Sequence, residues 1–387
     1  MDLTPPPLSA ISFTVKETSL WKKWFVAIFN AFASRPKYNY FYNGSWLVDQ
    51  VNEGAAYTVT GGGGDSGIIR CMDGFSGRAV GAGSFTVQRV TDPDNAAGNA
   101  CKIVCTVNDA SLAAGDLYYV EIPLEGARVA NLKSGTSAAK SITIKFNASF
   151  VITGTYGICV ANGGETRLYA GTIVITSTAE TSYTITLQLD TSGTWLYASA
   201  TIGLRVRLTL AAGSSFQGSA GVWGTAQTFT TSAQANFMAT ATTNIIYLKQ
   251  MQLVEGTVAG DIMPQSYAEA LRDCQRFLRK SFPQGFIVAS NQGLTQGSLR
   301  YIVNKAGAIV NNFSDTRFPI EMASTPVMTF YNPAAANAFA RDVDAVADCT
   351  TTAAGVSPTG FALSATGVAG TAIGNRFFVE YLADSRL

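Results

Sequence analysis

Residues 181–189 read TSYTITLQL. Tyr183, Ile185, Leu187 and Leu189 fall on one side of an extended chain, with Ser182, Thr184, Thr186 and Gln188 on the other. Successive side chains of a strand point to opposite faces, so this alternation marks a strand with one buried face and one wet face. The same period runs through Ile142, Ile144, Phe146, Ala148 and Phe150. It returns in Leu204, Val206, Leu208 and Leu210, where Arg205 and Arg207 are expected to point outward. Turn signals separate the stretches: Asp92-Pro93-Asp94, Asn162-Gly163-Gly164 and Ser192-Gly193. No long helical pattern alternates with the strands between Tyr38 and Val254, which sets aside a parallel α/β fold. Many short strands at regular spacing predict an all-β chain whose larger part is a jelly-roll-like β-sandwich.

Toward the C-terminus, residues 264–280 (PQSYAEALRDCQRFLRK) predict a linking helix. Pro264 suits its start, Ser266 its cap, and Tyr267, Leu271, Cys274 and Leu278 share one face. After Ser281 the β pattern resumes: Phe318, Ile320 and Met322 alternate, and residues 327–331 and 377–382 read as strands of a smaller C-terminal β-sandwich. Toward the N-terminus, Pro5-Pro6-Pro7 predicts an extended arm. A helix follows at about 19–32, with Trp21, Trp24, Phe25, Ile28 and Phe32 on one apolar face. So much apolar surface in one short helix must pack on something, either the chain's own downstream domain or, with the arm, another protein or a second copy of the chain. The expected division is an anchoring arm and helix at 1–37, a jelly-roll sandwich at 38–260, a linking helix at 261–282 and a C-terminal β-domain at 283–387.

Composition narrows the function. Only 14% of the 387 residues are charged and the formal net charge is +1, against a usual charged fraction of about 25%. Phosphate backbones are held by a basic excess, so nucleic acid is not expected as a partner. The chain has no histidine, which removes Ser-His-Asp and Cys-His catalysis and imidazole metal sites. The six cysteines, Cys71, Cys101, Cys105, Cys159, Cys274 and Cys349, form no CxxC pair. They are expected to be reduced, buried and free of metal. Residues 61–64 are four glycines followed by Asp65-Ser66-Gly67. That run lacks the Lys-Ser/Thr ending of a phosphate loop, so a surface loop is expected and no cofactor. No apolar run approaches the roughly 18 residues of a membrane span, so membrane insertion is not expected. The start, MDLTPPPLSA, lacks the basic and apolar regions of a secretory signal. Synthesis in the cytoplasm, followed by action as part of a particle, is expected.

Paired carboxylates are the one catalytic chemistry left open, with Asp49, Glu53, Asp65, Asp73, Glu165, Asp190, Glu255, Asp315 and Glu321 as candidates. The long repeat of a β-helical depolymerase is absent, and no enzymatic activity is expected. Glycan binding needs an aromatic ring to lie against a sugar face, with hydrogen-bonding groups around it. Trp195, Tyr197 and Trp223 are candidates in the larger part, and Tyr301 and Tyr331 in the C-terminal part, with Phe313 beside them. The competing reading, and the more usual one for Trp195 and Trp223, is a core residue of the sandwich, and it applies equally to the C-terminal candidates.

Three stretches resemble a family of phage tail-fibre and tail proteins that carry a jelly-roll, carbohydrate-binding-module-like domain. The first is residues 43–54, NGSWLVDQVNEG, followed by Cys71-Met72-Asp73-Gly74-Phe75. The family's opening, Asn-x-x-Phe/Trp-x-x-x-Gln-Arg-x-x-Gly, precedes an Asp-Arg-Trp strand there, and Asp73-Gly74-Phe75 stands in the place of that triplet. The second is residues 245–267, with Gln252-Leu253, Glu255-Gly256 and Tyr267-Ala268-Glu269. The third is Cys274-Gln275-Arg276-Phe277. The resemblance covers residue 43 to the end. It implies a structural virion protein: a tail fibre working as a homo-oligomer, by family a trimer. Residues 1–37 lie outside that stretch, but their Pro-rich start and Trp-x-x-Trp-Phe helix resemble virion attachment segments, so the N-terminus would be held by other virion tail proteins, in the adaptor, nozzle or portal region, and the β-domains would meet host cell-surface polysaccharide. A head fibre or decoration protein, or a polysaccharide-degrading tailspike, are the alternatives.

Overall fold

In the computed structural model the described residues are 23–24, 37–198, 200–263, 265–295 and 297–387. Trp21, Phe25, Ile28 and Phe32 of the expected anchor face lie outside them; Lys23 and Trp24 are helical, and Trp24 is exposed.

Alternating sequence becomes two facing antiparallel sheets. The first has six strands in the order β1 (Tyr57–Thr60), β5 (Ser84–Asp92), β6 (Asn95–Val107), β14 (Ile245–Glu255), β8 (Ser141–Phe150) and β11 (Thr181–Gln188). The second runs β13 (Trp223–Gly224), β10 (Leu168–Ile175), β9 (Gly154–Asn162), β12 (Ile202–Ala212), β7 (Leu117–Glu125), β4 (Phe75–Gly81) and β2 (Gly64–Asp65), with β3 (Ile69–Met72) also on β4. The chain passes back and forth between the sheets, as expected of a jelly-roll-like sandwich. β8 and β11 pair with Phe146 opposite Tyr183 and Ile144 opposite Ile185, so both predicted alternations point the same way into one core. That core takes Phe85, Ile103 and Leu248 from the first sheet and Tyr118, Ile158 and Val206 from the second. All six cysteines are free and buried. The tetraglycine run is an exposed turn leading into β2, and Gly62 and Gly63 take φ of 62° and 86°, where a side chain would be strained.

Arg205 and Arg207 do lie on the outer face of β12, but they do not reach open water. Residues 213–230 fold back over that face and bury Arg207 completely, with Phe229 and Tyr119 on its guanidinium at 5.1 and 4.8 Å. Strand periodicity reports which face a residue takes and says nothing of what later covers that face.

Residues 43–54, 71–75 and 274–278 meet at one seam. Asn43 Nδ2 donates to the Val48 and Asp73 carbonyls (2.7 and 3.1 Å), and its Oδ1 accepts from the Val48 N–H at 3.1 Å. Gly44 allows the Met251 carbonyl to approach, since a Cβ there would lie 2.2 Å from that oxygen. Trp46 is buried, donates Nε1 to the Lys249 carbonyl at 2.7 Å and meets Phe75 edge-on. The short α1 (Gly126–Val129) follows β7, and α2 (Tyr267–Cys274) packs Ala270 and Cys274 on Val48.

Helix α2 begins as its sequence requires. Ser266 accepts from the Glu269 N–H, and Glu269 reaches back to the Ser266 N–H. It ends earlier than expected: residues 278–280 leave it as strand β15 (Leu278–Lys280), paired with residues 382–384, and Tyr267 is exposed. Here a sheet ladder outcompetes helical spacing.

Nine strands form the remaining sheet system: β15, β16 (Leu299–Ile302), β17 (Val310–Asn312), β18 (Thr316–Arg317), β19 (Val327–Tyr331), β20 (Ala340–Asp342), β21 (Ala347–Ser357), β22 (Gly360–Thr366) and β23 (Arg376–Asp384). They enclose a second core that includes Phe330, Phe361, Phe377 and Tyr381. Phe318, Ile320 and Met322 are not in a strand. Pro319 has no N–H for a ladder. Phe318 and Met322 are buried instead, and their N–H groups donate to the Thr359 and Pro358 carbonyls.

Candidate functional site

Strand β13 is two residues long, yet it sets an aromatic cluster. Its pairing with β10 puts Trp223 opposite Tyr169, with ring centroids 5.6 Å apart. Trp195, from the turn after β11, meets Trp223 edge-on at 5.7 Å and 74°. The Trp195 Nε1 donates to the Ser192 carbonyl at 3.0 Å, and the Trp223 Nε1 to the Gln188 carbonyl at 2.8 Å. Gln188 ends β11, the edge strand of the first sheet, and β13 is the edge of the second. Trp223 therefore bridges the two sheets along their open side.

The cluster is graded in exposure. Trp195 is 8% exposed and belongs to the core, whereas Trp223 and Tyr169 are half-buried. Both indole N–H groups are used inside the protein, so what Trp223 offers outward is ring surface. Leu196 and Val222 beside it are exposed. A polar rim adjoins them: Arg167 pairs with Asp190, which also accepts from the Ser192 N–H and hydroxyl at 3.0 Å each. Burial pushes the Asp190 carboxyl up, but Arg167 and the Ser192 donors hold it below the ordinary aspartate value. The arrangement is half-buried aromatic surface beside a largely buried, charge-balanced pair, suited to a face of a neutral polar ring.

The other candidates sit elsewhere. Tyr197 donates its hydroxyl to the Ser134 carbonyl and packs on the sandwich core. Tyr301 stacks on Phe313 at 4.7 Å and 25° and shares a 2.7 Å hydrogen bond with Thr316. Tyr331 meets Phe282 edge-on at 5.5 Å. The structure thus joins Trp195 to Trp223 and leaves Tyr301 and Tyr331 in the C-terminal sheets. Tyr169 was not among the sequence candidates. Its place follows from the β10–β13 register, which a two-residue strand gives no periodicity to reveal.

The carboxylates are mostly committed. Asp49 and Asp73 are buried at the seam; Glu53 pairs with Lys280 at 2.5 Å, Asp65 with Arg78 at 2.6 Å, Glu165 with Arg207 at 2.7 Å and Glu255 with Lys140 at 2.8 Å. On the covered outer face, Glu121 accepts from Arg205 and Arg207, each at 2.6 Å. Burial works against the Arg207 charge, but Glu121, Tyr119, Cys159 and Glu165 around it raise its pKa above the ordinary arginine value. No group of metal-ligating side chains occurs among the described residues, and no helix among them is long and apolar enough to cross a membrane.

No known protein family and no curated protein matches the chain. Among solved structures it is similar to a family 4 carbohydrate-binding module, described as "CBM4 structure and function", at 13% identity and a TM-score of 0.28, over 55% of this chain and 98% of that one. It is similar to a family 11 carbohydrate-binding module from Clostridium thermocellum, in complex with a β-1,3-1,4-mixed-linked tetrasaccharide, at 10% and 0.27, over 48% and 94%. It is also similar to the enzymatically active domain of bacteriophage CBA120 tailspike protein 4, at 9% and 0.28, over 56% of this chain and 21% of that one. Likeness at this level assigns no family and no ligand.

Proposed function

We propose that the chain is a non-enzymatic glycan-recognition protein of a phage virion, a tail fibre that meets host-surface polysaccharide through the aromatic edge at Trp223. The observation that carries this reading is the half-buried Trp223–Tyr169 pair. It is braced from behind by Trp195, with both indole N–H groups already satisfied and a polar rim alongside. A braced ring loses little freedom when a sugar packs on it, so most of the contact energy is available for binding. One such site is weak, and several copies on a homo-oligomeric fibre raise the effective affinity without new contacts. The family resemblance of residues 43–54, 71–75 and 274–277 supports the virion setting and a trimer.

The test is binding of the full-length protein to host cells and to purified lipopolysaccharide and capsule, compared with Trp223→Ala. Saturable binding that the substitution weakens about tenfold is expected. Equal binding by both proteins would remove the site. Light scattering that gives a monomer at micromolar concentration would remove the trimer.

A structural role in a head fibre or decoration protein is the second reading, favoured by the way the Trp223 N–H closes the open side of the sandwich. It predicts an assembled particle component with no affinity for host glycans. Release of reducing ends from host capsule would overturn both readings in favour of a depolymerase.

A further inference from the structure

We propose that the groove between the entry to the sandwich and helix α2 is a second binding site for a neutral saccharide, built on Tyr38 and separate from the Trp223 edge. The groove has a volume of about 500 Å³, within the roughly 300–1,000 Å³ usual for small-ligand sites. Tyr38 lines it and is 60% exposed overall. An aromatic ring that open is ordinarily loose, but this one is fixed from behind. The Arg128 guanidinium lies 5.1 Å from its ring centroid and 4.4 Å from that of Tyr42, and Tyr40 meets Tyr38 edge-on at 5.0 Å. Arg128 is itself held: its Nε donates to the Tyr40 carbonyl at 2.7 Å, Nη2 to the Asn39 carbonyl at 3.1 Å and Nη1 to Asp273 at 3.3 Å. Tyr38 is thus a preorganised platform with one side open to the groove.

The chemistry of the walls selects the ligand. Lys37 and Arg128 are balanced by Glu269 and Asp273, so neither an anion nor a cation gains from the site's net charge. Ser45 and Gln265 line the groove, and within the described residues neither side chain makes a hydrogen bond, which leaves a hydroxyl and an amide to donate and accept. A rigid ring face, unused neutral donors and acceptors, and cancelled charge together match a pyranose: apolar on one face and hydroxylated at its edge.

The experiment is calorimetric titration of the full-length protein with mannohexaose, xylohexaose and the mixed-linked β-1,3-1,4 glucose tetrasaccharide, with polysialic acid as the anionic comparison. It is run on the natural sequence and on Tyr38→Ala, Gln265→Ala and Trp223→Ala. At least one neutral chain is expected to bind, with about tenfold loss in Tyr38→Ala and a smaller loss in Gln265→Ala. The Trp223→Ala protein isolates the groove, and binding that persists there and falls with Tyr38→Ala supports the groove alone. Loss confined to Trp223→Ala overturns the groove and leaves the edge site standing. Binding of none of the neutral chains, or preference for polysialic acid, also overturns it. Tyr38 is exposed, so its truncation leaves the fold intact, and circular dichroism checks this.

Discussion

Gln50 and Asp73 close on each other as a buried pair. The Gln50 N–H donates to Asp73 Oδ2 and its side-chain amide to Oδ1, both at 2.7 Å. The same amide nitrogen donates to the Leu278 carbonyl at 2.9 Å. One glutamine therefore ties the entry of the first sandwich to β15, the first strand of the C-terminal sheets. Burial pushes the Asp73 carboxyl up, and the Gln50 donors pull it back.

Gln50→Ala strips the side-chain donor from a buried carboxylate and leaves the Leu278 carbonyl short of a partner. Hydrogen bonds to buried charged groups contribute about 1.5–3 kcal/mol. A loss of about 3 kcal/mol in urea unfolding is expected, with the C-terminal sheets loosening first in hydrogen exchange. A loss under about 1 kcal/mol would show that the seam does not depend on this pair.

Asp49 gives the seam a pH dependence. Burial pushes its carboxyl up to about 6, against the hydrogen bonds from Gly54 and Asn52 and with the nearby Asp73 charge adding to the rise. An unfolded aspartate titrates near 3.9. Between about pH 4 and 6 the folded state binds more protons than the unfolded one, so this group's contribution to stability falls as pH rises and is constant above that window. The penalty above pH 6 is on the order of 3 kcal/mol at most. Asp49→Asn removes it. The variant's stability relative to the natural protein should climb from pH 4 to about 6.5 and then level off, and parallel pH profiles would contradict this.

Trp195 and Trp223 touch but should respond differently to truncation. Trp195 is nearly buried, and Trp195→Ala should cost about 3–5 kcal/mol of stability. Trp223 is half-buried at the edge, and Trp223→Ala should cost about 1–2 kcal/mol, chiefly the bridge to the Gln188 carbonyl. Thermal unfolding beside glycan binding separates the two. Equal stability losses would make Trp223 a core residue and nothing more.

Arg207→Met tests the covered outer face of β12. It leaves Glu121, which is 1% exposed, with Arg205 as its remaining partner. Breaking a buried ion pair from one side costs about 3–5 kcal/mol. A loss of about 3 kcal/mol in guanidinium unfolding is expected. A neutral result would mean that the face opens to water and that residues 213–230 do not seal it.

Much of this was legible in the chain itself. The period of two in residues 142–150, 181–189 and 204–210 determined strands, their inward faces and an all-β fold, because a strand alternates by geometry whatever it packs against. Ser266 and Glu269 likewise determined where helix α2 starts, since a capping box is made by residues three apart. Tertiary structure alone decided that α2 stops at Cys274, that Phe318 and Met322 are anchors outside any strand, and that Arg205 and Arg207 are roofed over. It alone brought Tyr169 to Trp223, and Arg128 behind Tyr38 from 90 positions away. Local patterns fix what neighbours in sequence must do. Which distant surface covers a strand face, or braces a ring, depends on how the sheets meet, and no short-range period encodes that.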